Sequence, residues 1–499
     1  MATYTSTTLP DGAEIDRRLA YVKFLEQVNS QPIGIEWETG SNSPTLKLID
    51  INSNEIIPSA SFFDNHVILG HIRRCAIDRI THEISYGSNA RGDGLALDGS
   101  MGDIFGEFPT AMCKYQVDGT KRRFWVAPFN SDYPGFSIHP CAPQRSATGT
   151  PRSKIYIAAY EMSLRDDNGT LKGASVAGKQ PWTGGEIYSL AFTSGSTAFT
   201  AGEVLTGATS GAYATVVDYH LTGGSWVGGD AAGVVYLKQK SATAFVSENI
   251  NGATAGNDCA TIGGAASAIS LTLDQAEAYA NANGGGFGVC NPWSYAYMQL
   301  LIYIDTQTLD SQTALGKGIV DLALGTGYVG KITGADSIDS LLGTNGTGTG
   351  SGTNGQTPIA WRGIENIYGN VWELIAGLNM FLSDGTYRVL KRDGTGTPAA
   401  TLAEGSYETG AGTVPTTDGY ISGIQSDEMG ALAFIQSQAA GSSSSYLCDT
   451  FYYPRYNPSI VRSGGAWSSG RTAGVGCLYA NSDPSDSART FGARLEFLP

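Results

Sequence analysis

The feature that most constrains this chain is a set of small, aromatic and arginine residues spread over its final quarter. Gly369-Asn370-Val371-Trp372-Glu373 comes first, then Arg462-Ser463-Gly464-Gly465-Ala466-Trp467, Arg489, and Phe491-Gly492-Ala493-Arg494-Leu495. Gly369 and Asn370 are turn residues just ahead of a strand, and Trp372 is large enough to close a core. Gly464-Gly465 lets the backbone pass closely behind Trp467, where a Cβ would clash. In the last run Phe491, Ala493, Leu495 and Phe497 alternate with Gly492, Arg494 and Glu496, which predicts a strand with one buried face. Arg462, Arg489 and Arg494 are candidates to hold carboxylates or carbonyls of the loops, with Glu373 one such partner.

Composition narrows the class. The 499 residues include 66 Gly and only 15% charged residues, which suits a loop-rich β protein, while 41% hydrophobic content is too high for a disordered one. A net charge of −15 with no concentrated Lys/Arg stripe argues against nucleic acid. The opening residues hold Asp11, Glu14, Asp16, Arg17 and Arg18 and no apolar signal region, and no apolar run is long enough to insert into a membrane. Seven scattered cysteines without a C-x-x-C read as buried small hydrophobes of a protein made in a reducing compartment.

Along the chain, residues 11–28 predict an amphipathic helix with Asp11 as cap and Glu14 in the reciprocal position. Short β-branched and aromatic runs follow, among them Phe124–Ala127, Phe136–Pro140 and Ile155–Glu161. Residues 187–264 change character and repeat themselves. Phe199, Glu203 and Gly207-Ala208-Thr209-Ser210-Gly211 recur as Phe245, Glu248 and Gly252-Ala253-Thr254-Ala255-Gly256. Two copies are too few for a solenoid and predict a small pseudo-symmetric β-barrel or sandwich. Thr272 and Gln275 then form a capping box for a helix stopped by Gly284. Asn291-Pro292 opens a second helix whose Trp293, Ala296, Tyr297, Leu300 and Ile304 share a core face. Residues 341–357 read as a flexible Gly/Thr/Asn loop.

The closing motifs, with the runs F-S-I-H-P and Y-I-A-A-Y-E, resemble the C-type-lectin-like fold shared by formylglycine-generating (sulfatase-modifying) enzymes and phage receptor-binding proteins. The resemblance covers residues 60–185 and 265–499. It implies an α+β chain: a C-type-lectin-like (formylglycine-generating-enzyme-like) domain with an inserted small all-β domain and an N-terminal helical attachment segment. The divisions are 1–58 for attachment and oligomerisation, 59–186 and 265–499 for the two parts of the lectin-like domain, and 187–264 for the insert.

One scaffold therefore implies either an oxidase or a recognition module. In the enzymes two cysteines follow the Arg-Gly-Gly-Ser-Trp-type motif and bind copper. Here the segment reads Ser468 to Cys477, with Ser468 near where a thiol is wanted and Cys477 alone, and one thiolate makes neither a two-thiolate copper site nor a redox pair. The expectation is no catalytic residues, no metal and no cofactor. Aromatics interleaved with Ser, Asn and Gly are instead a recognition composition. The ligand-binding candidates are Trp467, Ser468, Ser469, Arg471, Thr472, Tyr479, Asn481 and Asp483. With the fibre resemblance, these imply a virion protein, homotrimeric, joined to other virion proteins through its N-terminal segment and binding a host-surface glycan or protein. A purely structural virion component is the alternative, followed by an oxidase or polysaccharide depolymerase. Arg91-Gly92-Asp93 and the Asp483–Asp486 loop are weak signals for adhesion and for calcium.

Overall fold

The computed structural model describes residues 30–499 except 40, 147, 168–169, 185–186, 239, 270, 323–337, 352, 402–404, 411, 426–434 and 446. The helix expected over 11–28 lies outside the described residues. The chain is mostly β, 39% strand against 10% helix, arranged in several antiparallel sheets, so the α+β expectation gives way to a β-dominated architecture. The helical signals were real but few, and Gly-bounded strands fill the remainder.

Three sheets position the surface loops around one long helix, and a fourth sheet stands beside them. In the first, Lys47–Ile49, Ile33–Glu38, Lys121–Pro128, Ala111–Asp118 and Ser137–Ile138 lie in that order. Ile33–Glu38 pairs along its length with Lys121–Val126, so this part of the 1–58 segment lies in one sheet with residues 121–126. Its apolar Ile33, Ile35 and Trp37 are buried in the main core. The second sheet runs Phe287–Val289, Leu495–Phe497, Lys154–Ala158, Asp103–Pro109, Arg73–Ile77 and Ile84–Tyr86. The third is built round Trp372–Met380, Ser459–Gly464 and Gly474–Ser482, with Phe491–Gly492 added in parallel to the first of these.

Between the sheets runs the helix Pro292–Thr306. Asn291 caps it, its side chain accepting from the Trp293 and Ser294 amides, and Pro292 takes the first position as the sequence predicts. Every residue from Pro292 to Ile304 is buried, not only the predicted stripe. Four of its polar side chains reach backbone carbonyls there: Trp293 Nε1 donates to Leu390, Tyr295 Oη and Gln299 Nε2 to Val475, and Tyr297 Oη to Pro109. The capping box of Thr272 and Gln275 is formed, and that helix ends at Asn281, shortly before Gly284 at φ +115°. The loop predicted as flexible over 341–357 is partly structured, because Gly348–Thr349 pairs with Ile359–Trp361.

Strands between Ile187 and Ile269 pair in the order Ala231–Lys238, Tyr213–Gly223, Val204–Gly207, Ser247–Gly252, Gly256–Gly263, Ile187–Gly195, and Ala231–Lys238 again pairs the last, so the sheet closes on itself. The two repeat copies meet along Val204–Gly207 and Ser247–Gly252, where Leu205 faces Gly252 and Gly207 faces Ile250. That register relates the copies by a local twofold. Each copy's glutamate then serves the other copy's turn. Glu203 accepts from the Thr254 and Ala255 amides, and Glu248 from the Thr209 and Ser210 amides. A Cβ on Gly252 would lie 2.7 Å from the Glu203 carboxylate, and one on Gly207 would collide with Glu248. The Glu and Gly-Ala-Thr elements of the repeat are thus two halves of one exchanged contact.

Candidate functional site

The signature residues are interior. Arg494, fully buried, donates through Nε to Glu373 Oε1 at 2.8 Å, and its other nitrogens reach the carbonyls of Ala158, Glu365 and Asn366. One guanidinium therefore joins the closing strand, the Asn370–Glu373 run and the strand ending at Ala158. Asn370 holds a left-handed φ of +59° and its Nδ2 donates to Glu161 Oε2 at 2.5 Å. Burial pushes Glu161 well above the usual carboxylate range, the nearby Glu373 adding to the rise and Arg494 opposing it. The single one-faced strand predicted for residues 491–497 is two short strands, Phe491–Gly492 and Leu495–Phe497, in different sheets, and residues 491–498 are all buried. Arg494 and Glu496 are inside because each has ionic partners: Glu373 for the first, Arg145 at 2.7 Å for the second. Gly464 and Gly465 do require positive φ, at +86° and +95°, but the close neighbour of Gly465 is Ala473, 2.6 Å from where a Cβ would sit, not Trp467.

The candidate contact residues occupy the two ends of one strand. At its start, Trp467 is fully buried against Ile319, Leu322 and Val371, which corrects its expected role as displayed aromatic area. It anchors the turn that follows. Ser468 is exposed; Ser469 Oγ accepts from the Ala466 amide, and Thr472 Oγ1 donates to the Ser469 carbonyl. Arg471, also exposed, donates to Asp310 at 2.5 Å. Gln312 Nε2 donates to the Gly470 and Ala473 carbonyls, clamping the turn from below. Asp310 and Gln312 escaped the sequence reading. Asp310 caps the short helix Ser311–Leu315, accepting from the Thr313 amide, and the Asp-Ser-Gln-Thr run was the signal available for it.

The nine-residue strand Gly474–Ser482, roughly 25 Å of extended chain, carries Tyr479 and Asn481 in its second half and leads to Asp483 at its far end. Tyr479 packs within an aromatic group with Trp372 and Tyr452, at 5.1 and 4.7 Å between ring centres. The buried Arg462 guanidinium lies 4.2 Å from the Tyr479 ring and 3.4 Å from that of Phe491, and donates to Ser482 Oγ. Arg462 was expected to hold a carboxylate or carbonyl; it has ring faces and a hydroxyl, and burial pushes its pKa down to about 9. Asn481 is half-buried beyond it. Asp483 accepts from the Ser485 amide and hydroxyl, and Asp486 from the Asp483 amide, so both carboxylates hold the turn. The structure gathers Ser468, Ser469, Arg471 and Thr472 into one turn and does not bring Asn481 and Asp483 to it.

The residues that would carry oxidation are placed differently. Cys477 is fully buried beside Trp372 and Ala466, and burial drives its thiol well above the usual range, while Ser468 faces solvent. All seven cysteines are free and buried, as the sequence suggested. Near Cys477, the buried Asp449 accepts from the Gly476 amide at 2.7 Å, and desolvation raises its pKa to about 8. Within Arg91-Gly92-Asp93 the Arg and Asp pair with each other at 2.7 Å and Gly92 is buried, so the tripeptide is internally closed. Among the described residues no helix is long and apolar enough to cross a membrane.

No protein-family model matches the chain, and no curated protein matches it. Among solved structures it has weak similarity to one titled Major Tropism Determinant U1 Variant, at 14% identity, covering 75% of this chain and 91% of that one, with a TM-score of 0.19. A second, Major Tropism Determinant P3c Variant, is 13% identical with the same coverages and TM-score. Similarity of that size establishes neither fold nor function.

Proposed function

We propose that the chain is a non-catalytic recognition protein of a virion, a phage fibre component that binds a host-surface glycan or protein through the turn Ser468–Thr472. The observation that carries this reading is the pre-formed polar turn itself. Ser468 and Arg471 are exposed, while the buried Trp467, the Gln312 clamp and the Arg471–Asp310 pair hold their backbone in place. A turn ordered before binding avoids the entropy cost of ordering during it. The C-type-lectin-like scaffold is part of the same proposal, supported by the buried Arg494 that ties the signature segments together. Attachment to the particle and trimer formation are assigned to the N-terminal segment. Asn481 and Asp483 belong to a separate surface at the other end of the strand.

The test is saturable binding of the purified, labelled chain to a panel of bacterial cells. Ser468→Trp, which adds bulk at an exposed position, should weaken binding at least tenfold without moving the unfolding midpoint. Binding that is indifferent to Ser468→Trp and Arg471→Ala places recognition elsewhere. Loops found seated against other virion chains in the assembled particle establish the structural alternative instead.

A further inference from the structure

A concave site that shares no residue with the C-terminal turn lies on the sheet that holds Arg73–Ile77, Asp103–Pro109 and Lys154–Ala158. Its cavity measures about 510 Å³, within the range of pockets that take small molecules. Arg73, Glu107 and Tyr156 are direct cross-strand neighbours, so their side chains emerge in one row on one face. Glu107 is almost wholly buried and collects four donors: Tyr86 Oη at 2.5 Å, Lys154 Nζ at 2.9 Å, Tyr156 Oη at 3.1 Å and Arg73 Nη2 at 3.5 Å. Four donors fill the accepting capacity of one carboxylate. Burial alone would raise Glu107, but the hydrogen bonds from Lys154 and Tyr86 outweigh it and hold the group below its ordinary value.

The cations are not used up in the same way. Lys154 and Arg73 are each about two-fifths exposed, at 42% and 41% of the side chain, and among the described residues Glu107 is the only acidic one lining the cavity. An ammonium has three N–H groups and a guanidinium five, so both retain donors beyond those given to Glu107. Two positive charges against one negative leave the wall with one surplus positive charge, in a chain whose net charge is −15. The remaining wall mixes apolar Val67, Ile68, Pro109, Pro128 and the half-buried Phe129 with hydrogen-bonding His71, Ser88, Asn89, Thr110 and Ser153, a lining suited to a guest that carries hydroxyl groups as well as an apolar face. A charge-complementary guest is therefore a single anion carried on a compact body with an apolar face.

We infer that this cavity binds an acidic saccharide, its carboxylate held by Lys154 and Arg73 and its ring lying against Pro109 and Phe129. The site is independent of the turn at Ser468. A buried carboxylate with four donors fixes the two cations in place before the ligand arrives, which is the role assigned to Glu107.

The test uses the full chain and titration calorimetry with a uronic-acid disaccharide, its neutral hexose counterpart, and inorganic phosphate. The acidic disaccharide should bind at least tenfold more tightly than the neutral one, with an affinity that falls as salt rises. Lys154→Gln should remove that preference. Should Lys154→Gln lower the unfolding midpoint, Ser153→Trp or Ser88→Trp at the exposed cavity rim should block binding in a folded protein. Equal affinity for acidic and neutral sugars, binding of phosphate alone, or acidic-sugar binding untouched by the rim variants each overturns the inference. Ser468→Trp separates the two sites: it disables the proposed cell-binding turn while acidic-sugar affinity at the cavity stays the same.

Discussion

Replacing Glu248 by Ala should loosen a turn that belongs to the other copy of the repeat. The Glu248 carboxylate accepts the Thr209 and Ser210 amides, both at 2.7 Å, and the Ser210 hydroxyl at 2.5 Å. Charged hydrogen bonds of this kind contribute about 1.5 kcal/mol each, and the two backbone amides together give about 2–3 kcal/mol after allowing for water at the turn. Opening of that turn should then be about 30- to 150-fold more frequent, at 1.4 kcal/mol per tenfold. Amide hydrogen exchange reads this residue by residue. Glu248→Ala should accelerate Thr209 and Ser210 and spare Thr254 and Ala255; Glu203→Ala should do the reverse, since Glu203 serves Thr254 and Ala255. Acceleration in the mutated copy's own turn, or a uniform effect on both, would refute the exchanged-contact reasoning. The effect also has a pH signature. Burial pushes Glu248 up, but its hydrogen bonds, led by that from Ser210, outweigh this and leave it lowered. A lowered carboxylate contributes stability above its unfolded value and loses it on acidification through the folded one, so wild-type protection at 209–210 should collapse only below the ordinary glutamate range.

Three further outcomes follow from the buried groups. Arg494→Met leaves Glu373 buried without its cation and should cost about 3–5 kcal/mol in urea unfolding; a loss under 1 kcal/mol would mean that the pair does not tie the signature segments together. Trp467→Ala should destabilise by about 3–5 kcal/mol as a core truncation, so any loss of binding it causes must appear with a lowered unfolding midpoint. Asp449, raised by burial to about 8, binds a proton in the folded state that the unfolded chain releases. Folding stability should therefore fall as pH rises from about 4 to about 8. Asp449→Asn should flatten that slope, and an unchanged slope would remove Asp449 as its source.

Local signals were legible where one segment carries its own partner. Thr272 with Gln275, and Asn291 with Pro292, specify helix starts within four residues and are found as read. Burial of a thiol next to apolar neighbours was also readable for all seven cysteines. The alternation in residues 491–497 misled because polar residues usually mark the wet face. Arg494 and Glu496 break that rule through partners more than a hundred positions away, Glu373 and Arg145. The pairing of Ile33–Glu38 was not readable for a similar reason, since its strand partner near Lys121 is distant in sequence.

By itself the sequence determined that the chain is glycine-rich and β-forming, where two helices begin, and that the closing Trp, Gly and Arg residues build scaffold. Those properties depend on backbone freedom, side-chain volume and spacing along one segment. Only the tertiary structure decided which residues meet. Strand order put Arg73, Glu107 and Tyr156 in one row, and the local twofold of the barrel crossed Glu203 and Glu248 between copies. The extended strand Gly474–Ser482 set Ser468 and Asp483 at opposite ends, although they lie fifteen positions apart in a segment that reads as one surface. Register and sheet order are collective properties of many long-range pairings, and no short run of residues encodes them.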